Sequence, residues 1–280
     1  MGHSQANGAR AVRFPAGRVL WFFVKFMVLF CLLAIPQWPR LGRVYAAAYC
    51  TCCNWFFHSF GDNGRVRYEP VGTVQARIAQ LQAVQQSLRQ TLGREPALVE
   101  IARDAGSDVA EAQRLVDISR QRQFHEADSD WGVVMHLANK RTGATMDTMG
   151  STRFHGFQPT AFVIALTLAT PIPWKRRLKA LALALVLVSL FVGLRAYVFL
   201  NFLFTPQPDV PAGIAVYNPG KSLTFLIRYF NWVIVQSFAG CFVLAGCLWF
   251  LATFRRSDWS VILGPLNQKE AGQEPGPTGG

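Results

Sequence analysis

The chain has 280 residues, 51% of them apolar and 16% charged, with a formal net charge of +12 at pH 7. An ordinary soluble globular chain is excluded, because the apolar residues are bunched into runs long enough to cross about 30 Å of hydrocarbon. The basic residues gather at the ends of those runs, which points to membrane boundaries and away from a nucleic-acid face.

In chain order, Arg10, Arg13 and Arg18 precede a first apolar run at residues 19–38. No small-residue cleavage site follows Leu33, and Pro36 and Trp38 stand where one belongs, so the run is expected to stay as a transmembrane anchor. A second run at residues 44–60 carries Tyr45, Tyr49, Trp55 and His58, side chains suited to the headgroup region. It is read as interfacial, since a crossing there would turn the later basic cluster outward. Residues 61–154 form an external soluble insertion, mainly helical. Val74, Ile78, Leu81, Val84, Leu88 and Leu92 recur at helical spacing and Gly93 ends that helix. Pro96 opens a second helix that Gly106 closes, and residues 109–118 make a third. Trp131, Val133, Val134 and Met135 predict a short strand or amphipathic turn.

Three further spans follow at residues 157–174, 180–204 and 225–254. Lys175, Arg176, Arg177 and Lys179 fill the turn between the second and third spans, and Arg255 and Arg256 follow the fourth. By the positive-inside rule these sites and residues 1–18 are cytoplasmic, as is a disordered tail at 255–280. The expected fold is an all-α, multi-pass protein of the inner membrane with about four transmembrane helices, an external helical insertion and a cytoplasmic N-terminus.

Among chemistry-bearing residues, Cys31, Cys241 and Cys247 lie within spans, where packing is the default role. Cys50, Cys52 and Cys53 cluster at the interfacial run, open to a metal, redox or lipidation reading, but no second ligand pair accompanies them. His125, Asp128, Asp130 and His136 lack ligand spacing on one helix, so they read as solvated loop residues and no metal or cofactor is expected. At 1.5 Å per residue, Arg195 lies about 27 Å along its span from Arg177, near the outer face. Phe154 and His155 lie a similar distance from the basic turn, and Asn231 lies about 36 Å from Arg255 along its span, less if that helix is tilted, so three spans can bring His155, Arg195 and Asn231 to one outer-leaflet site. An ionisable residue at such a depth is a functional hypothesis by default.

Two resemblances sit on these residues. The stretch "LGREPALVEIARDAGSDVAEAQRLVDIS", residues 92–119, resembles the helix-turn-helix part of region 3 in bacterial primary-type sigma factors. Residues 79–120 carry five Arg against six Asp and Glu, so no basic face is offered to phosphate and no nucleic-acid partner is expected. The pieces "RFHGFQPTAFVIALTLATPIPWKRRL", "ALVLVSLFVGLRAYVFL" and "YFNWVIVQSFAGCFVLAGCLWFLATFRR" resemble the exosortase/archaeosortase family of membrane transpeptidases, as do "FFVKFMVLFCLLAIP" and "FHSFGDNGRVRYEP". The resemblance covers most of the chain apart from residues 73–147 and the tail. It implies a Cys, Arg and His triad cleaving a C-terminal sorting signal at the outer face. Gly156 fits the motif glycine, which puts Phe154 at the place of the nucleophilic Cys and Asn231 at the place of the His; only Arg195 remains.

Phe has no nucleophilic chemistry and Asn cannot act as a general base. The leading expectation is therefore a non-catalytic or divergent exosortase-like protein. Its polar site, made of Phe154, His155, Gly156, Arg195 and Asn231, would bind a peptide, lipid headgroup or partner. Membrane lipid and a membrane protein with a C-terminal sorting tail are the implied partners. One alternative is an active peptidase or transpeptidase using Ser151 or Thr152 as a hydroxyl nucleophile with His155 and Arg195. The other is a membrane-anchored regulator using the sigma-like hairpin.

Overall fold

A computed structural model describes residues 16–34, 38–121, 124, 125, 127–208 and 210–253. The chain before residue 16, Pro36 and the tail with Arg255 and Arg256 lie outside them, and with them most of the expected cytoplasmic N-terminus and the whole expected disordered tail. The described chain is predominantly helical, but the all-α expectation is corrected by a four-stranded antiparallel sheet. Its strands are β1 (Ser59–Phe60), β2 (Gly64–Pro70), β3 (Gly132–Asn139) and β4 (Thr145–Ser151), in that spatial order. The insertion expected to be mainly helical is so only between β2 and β3. There α3 (Val71–Leu92), α4 (Leu98–Asp104) and α5 (Val109–Ser119) interrupt the hairpin in which Gly64 pairs Asn139 and Pro70 pairs Val133. Gly93 and Gly106 each take a φ of 66°, the left-handed geometry that stops α3 and the turn after α4.

The sheet is buried on both faces, which is why β3 is apolar at consecutive positions. Val133, Met135 and Leu137 pack with Val66, Tyr68, Cys50, Cys53 and Leu200 on one side. Val134 faces the other way, into a core with Val71, Val74, Ile78, Ala112, Leu115 and Ile118. Burying each larger aliphatic of this group contributes about 1.5–3 kcal/mol, an upper bound against a compact unfolded chain. A buried charge network ties the helices to the sheet edge: Arg114 Nε meets Asp147 at 3.0 Å, and its Nη1 meets Glu69 at 3.4 Å and Glu111 at 3.2 Å.

The apolar helices form the second layer. They are α1 (Ala16–Ala34), α2 (Pro39–Phe57), α6 (Gln158–Ala169), α7 (Trp174–Leu203), α8 (Lys221–Phe230) and α9 (Phe238–Thr253). Phe26 of α1 packs on Ala165, Leu166 and Ala169 of α6, and Val163 of α6 meets Ala184 and Val188 of α7 and Ala245 of α9. Among the described residues α7 alone is both long and apolar enough to cross a membrane as one helix, and there are up to three such spans if each of two bent pairs counts as one. One pair joins α1 to α2 through an 81° bend; the other joins residues 221–236 to 240–253 through a 75° bend. Thus the span expected at 225–254 is not one straight helix, while the run at 44–60 falls within α2 and β1, and α2 starts earlier, at Pro39, where proline suits a first helical turn.

The two ends of α7 differ in kind. At its start Arg177 donates to the carbonyls of Thr170 and Ile172, and Arg176 to that of Thr253, so the basic cluster neutralises helix C-termini. At its other end Leu200, Leu203 and Phe204 enter the sheet core. The following loop is pinned there by Asn139, whose amide donates to Gly213 and Ala215 carbonyls at 2.9 Å each.

Candidate functional site

Two π-helical turns converge on Arg195 at the junction of the apolar helices and the sheet. The first covers Arg153–Phe157, where Gln158 N–H bonds the Arg153 carbonyl five residues back. Pro159 follows and has no N–H to give, so the Phe154 carbonyl lacks a donor five residues on and the His155 carbonyl lacks one four residues on. Arg195 Nη1 fills both vacancies, at 3.0 Å from Phe154 O and 2.8 Å from His155 O.

The second π turn covers Asn231–Gln236 and ends where Ser237 goes extended with a ψ of 116°. Its last carbonyls have no helical donor ahead, and Arg195 Nη2 donates to Val235 O at 2.8 Å. The chain then doubles back tightly. A Cβ on Gly240 would stand 2.3 Å from the Val233 carbonyl, so glycine is required for this approach. The reversal brings the Cys241 sulfur to 3.2 Å from Arg195 Nη1. Arg195 is 4% exposed, and only its Nε is without a partner.

Two spaces flank the guanidinium. An open cleft of about 480 Å³ is lined by Phe154, His155, Gln158, Gln236, Ser237 and Cys241 among others. Phe154 is 55% exposed. On the sheet side lies a much smaller cavity of about 20 Å³, lined by Tyr49, Tyr68, Ser151, Thr152, His155 and Arg195 with neighbouring apolar atoms. The His155 ring stacks obliquely on Phe199, with centroids 6.1 Å apart, and so forms part of both walls.

The structure therefore brings Phe154, His155 and Arg195 together, as the depth argument expects, but leaves Asn231 aside. Asn231 is 1% exposed, its Oδ1 has no partner, and it lines neither space. Arg195 is satisfied by backbone carbonyls where Asn231 was the expected partner, because the π turn points carbonyls and not the Asn231 side chain at it. Gly156 is needed for packing: a Cβ there would sit 2.4 Å from the Tyr45 hydroxyl oxygen. Thr152 is a lock, its N–H and its hydroxyl each donating to Trp131 O at 2.8 Å. Ser151 ends β4 opposite Gly132 and faces the small cavity.

Cys241 is the residue that spacing misses. Depth alone does not exclude it, since at 1.5 Å per residue it lies about 21 Å from Arg255, within about 6 Å of the level of Arg195; it reads as a packing cysteine inside an apolar run. The one signal for a break is the polar "QS" pair at Gln236 and Ser237 followed by Gly240. The cysteines Cys50, Cys52 and Cys53 are free thiols, and no cluster with metal-ligating composition occurs among the described residues. No family model matches the chain, and no curated protein or solved structure matches it.

Proposed function

We propose that the chain is an exosortase-like membrane protein of four spans, with its N-terminus in the cytoplasm, whose open cleft beside Arg195 binds a peptide segment at the outer leaflet without cleaving it. The cleft carries this reading. Its volume lies within the 300–1,000 Å³ of ordinary ligand sites, and it combines apolar walls with a few polar groups from Gln158, Gln236 and Ser237. The hydroxyl-nucleophile alternative loses support from the same geometry. Thr152 is committed to Trp131, and Ser151 faces a cavity of about 20 Å³ that holds roughly one water and no scissile carbonyl. The contacts among α1, α6, α7 and α9 support a four-helix membrane arrangement in which the bent α8–α9 pair is the fourth span.

A second reading is favoured by one contact. Cys241 receives a guanidinium N–H and shares the cleft with His155, the partners that thiol nucleophiles use elsewhere. In this reading the sulfur attacks from the last helix, not from the position of Phe154. The two are separated by mixing lipid-reconstituted protein with peptides ending in an apolar membrane tail and a basic C-terminus. Binding without turnover, weakened by Phe154→Ala, supports the first reading. Turnover that vanishes in Cys241→Ala replaces it with the second, and neither binding nor turnover removes both.

A further inference from the structure

The small cavity presents a charge problem that the cleft does not solve. Arg195 is a permanent cation and is 96% buried by its 4% exposure. Its Nη partners are three carbonyls and a sulfur, all neutral acceptors. The described carboxylates all fall between Asp62 and Asp147, and none makes an ion pair with it. A buried charge without a counterion is costly, and such charges are normally paired.

Beside it stands a second unsatisfied donor. Tyr68 is 2% exposed and its hydroxyl has no partner, and neither does Arg195 Nε. Both residues line the same cavity. The Ser151 hydroxyl and the His155 ring add further hydrogen-bonding groups to that wall. The space of about 20 Å³ takes about one small sphere and excludes phosphate or a peptide carboxylate. Lone donors around a buried positive charge call for an acceptor that also carries negative charge.

We propose that this cavity between the sheet and α7 binds a single halide-sized anion, chloride in a cell, held by Arg195 Nε–H and the Tyr68 hydroxyl. The anion neutralises the guanidinium and ties β2 to α7, so its loss loosens the junction from which both cavity and cleft are built.

The test uses the full chain reconstituted in lipid nanodiscs, titrated with sodium chloride or sodium bromide against sodium gluconate at fixed ionic strength. Wild-type protein should unfold at a midpoint that rises with halide and not with gluconate, as linkage requires for a ligand bound only to the folded state. Tyr68→Phe keeps the ring and deletes one hydrogen bond to a charged ligand. It should need roughly tenfold more halide for the same rise. Crystals soaked in bromide should show an anomalous peak within hydrogen-bonding distance of Tyr68 Oη and Arg195 Nε. An equal halide response in wild type and Tyr68→Phe would overturn the proposal, as would a cavity that holds only water. Either result leaves the peptide-cleft reading standing, because that reading rests on the larger space lined by Phe154, Gln158, Gln236 and Ser237, none of which lines the cavity.

Discussion

Gly156→Ala tests whether Gly156 is held for packing or for chemistry. The new Cβ would stand 2.4 Å from Tyr45 Oη and 3.3 Å from two carbons of the ring. The hydroxyl must retreat by about 1 Å to reach ordinary contact, and overpacking of this kind costs about 1–3 kcal/mol. The Tyr45 ring packs on Phe157 at 5.5 Å and Trp131 at 6.2 Å, so the movement must be taken up toward the space of about 350 Å³ that Tyr45 also lines. Against this, replacing glycine by alanine in a helical turn recovers up to about 1 kcal/mol. The net expectation is destabilisation by about 0.5–2 kcal/mol. In a Tyr45→Phe background the clashing oxygen is gone while the propensity gain remains, so the same substitution should become neutral or stabilising. A double-mutant cycle in mixed micelles, unfolded with SDS and followed by tryptophan fluorescence, reads this change of sign directly. If Gly156→Ala costs the same in both backgrounds, the steric account is wrong and a role for Gly156 in the cleft regains force.

Two further expectations concern the insertion. Arg114→Ala should destabilise the protein by about 1–3 kcal/mol, because Glu69, Glu111 and Asp147 each lose a charged hydrogen bond while Glu69 keeps Arg67 and Arg77, Glu111 keeps Arg77 and Asp147 keeps His136, and equilibrium unfolding checks it. The Glu100 carboxyl is held below its ordinary 4.5 first by the hydrogen bond from Arg94 and next by the Ala97 N–H. A depressed carboxylate stabilises the fold above about pH 4.5 and loses that contribution as pH falls through the lower folded value; melting curves from pH 6 to 3 should therefore fall less steeply in Arg94→Gln than in wild type.

How much of this was legible in the sequence depends on whether the signal is local. The three insertion helices are readable because each is punctuated by its own residues: Gly93 and Gly106 in left-handed geometry, and apolar positions at 74, 78 and 81 that face one core. Of the sheet only β3 was, at the short strand or turn expected from Trp131 to Met135; β2 was not, although Val66 and Tyr68 alternate with Arg65, Arg67 and Glu69. Its partner strand lies some sixty residues on, beyond the helices, and β4 has the polar sequence "TMDTMGS" with no apolar stripe. Strands buried by other layers need no amphipathic pattern of their own. The bend between α8 and α9 has the same character. The polar pair at Gln236 and Ser237 hints at a break, but nothing local says that the six residues before it adopt π geometry, because the reward for doing so is offered by a side chain on another helix.

That reward explains why Arg195 could be singled out while its partners could not. A guanidinium brings five donors in a fixed fork and requires that many acceptors, and a regular helical bundle has none to spare since each carbonyl is already bonded within its own helix. Two places in this chain release carbonyls: Pro159, which deletes a donor, and the reversal at Ser237, which ends a ladder. Each by itself would leave unsatisfied acceptors among apolar helices, at a cost of several kcal/mol apiece. Arg195 by itself would leave a buried charge with no acceptors. The three irregularities are thus mutually stabilising, and replacing any one exposes the cost of the other two. The sequence displays each as a local oddity, and only their meeting in space makes them a single structure with a cleft on one side and a cavity on the other.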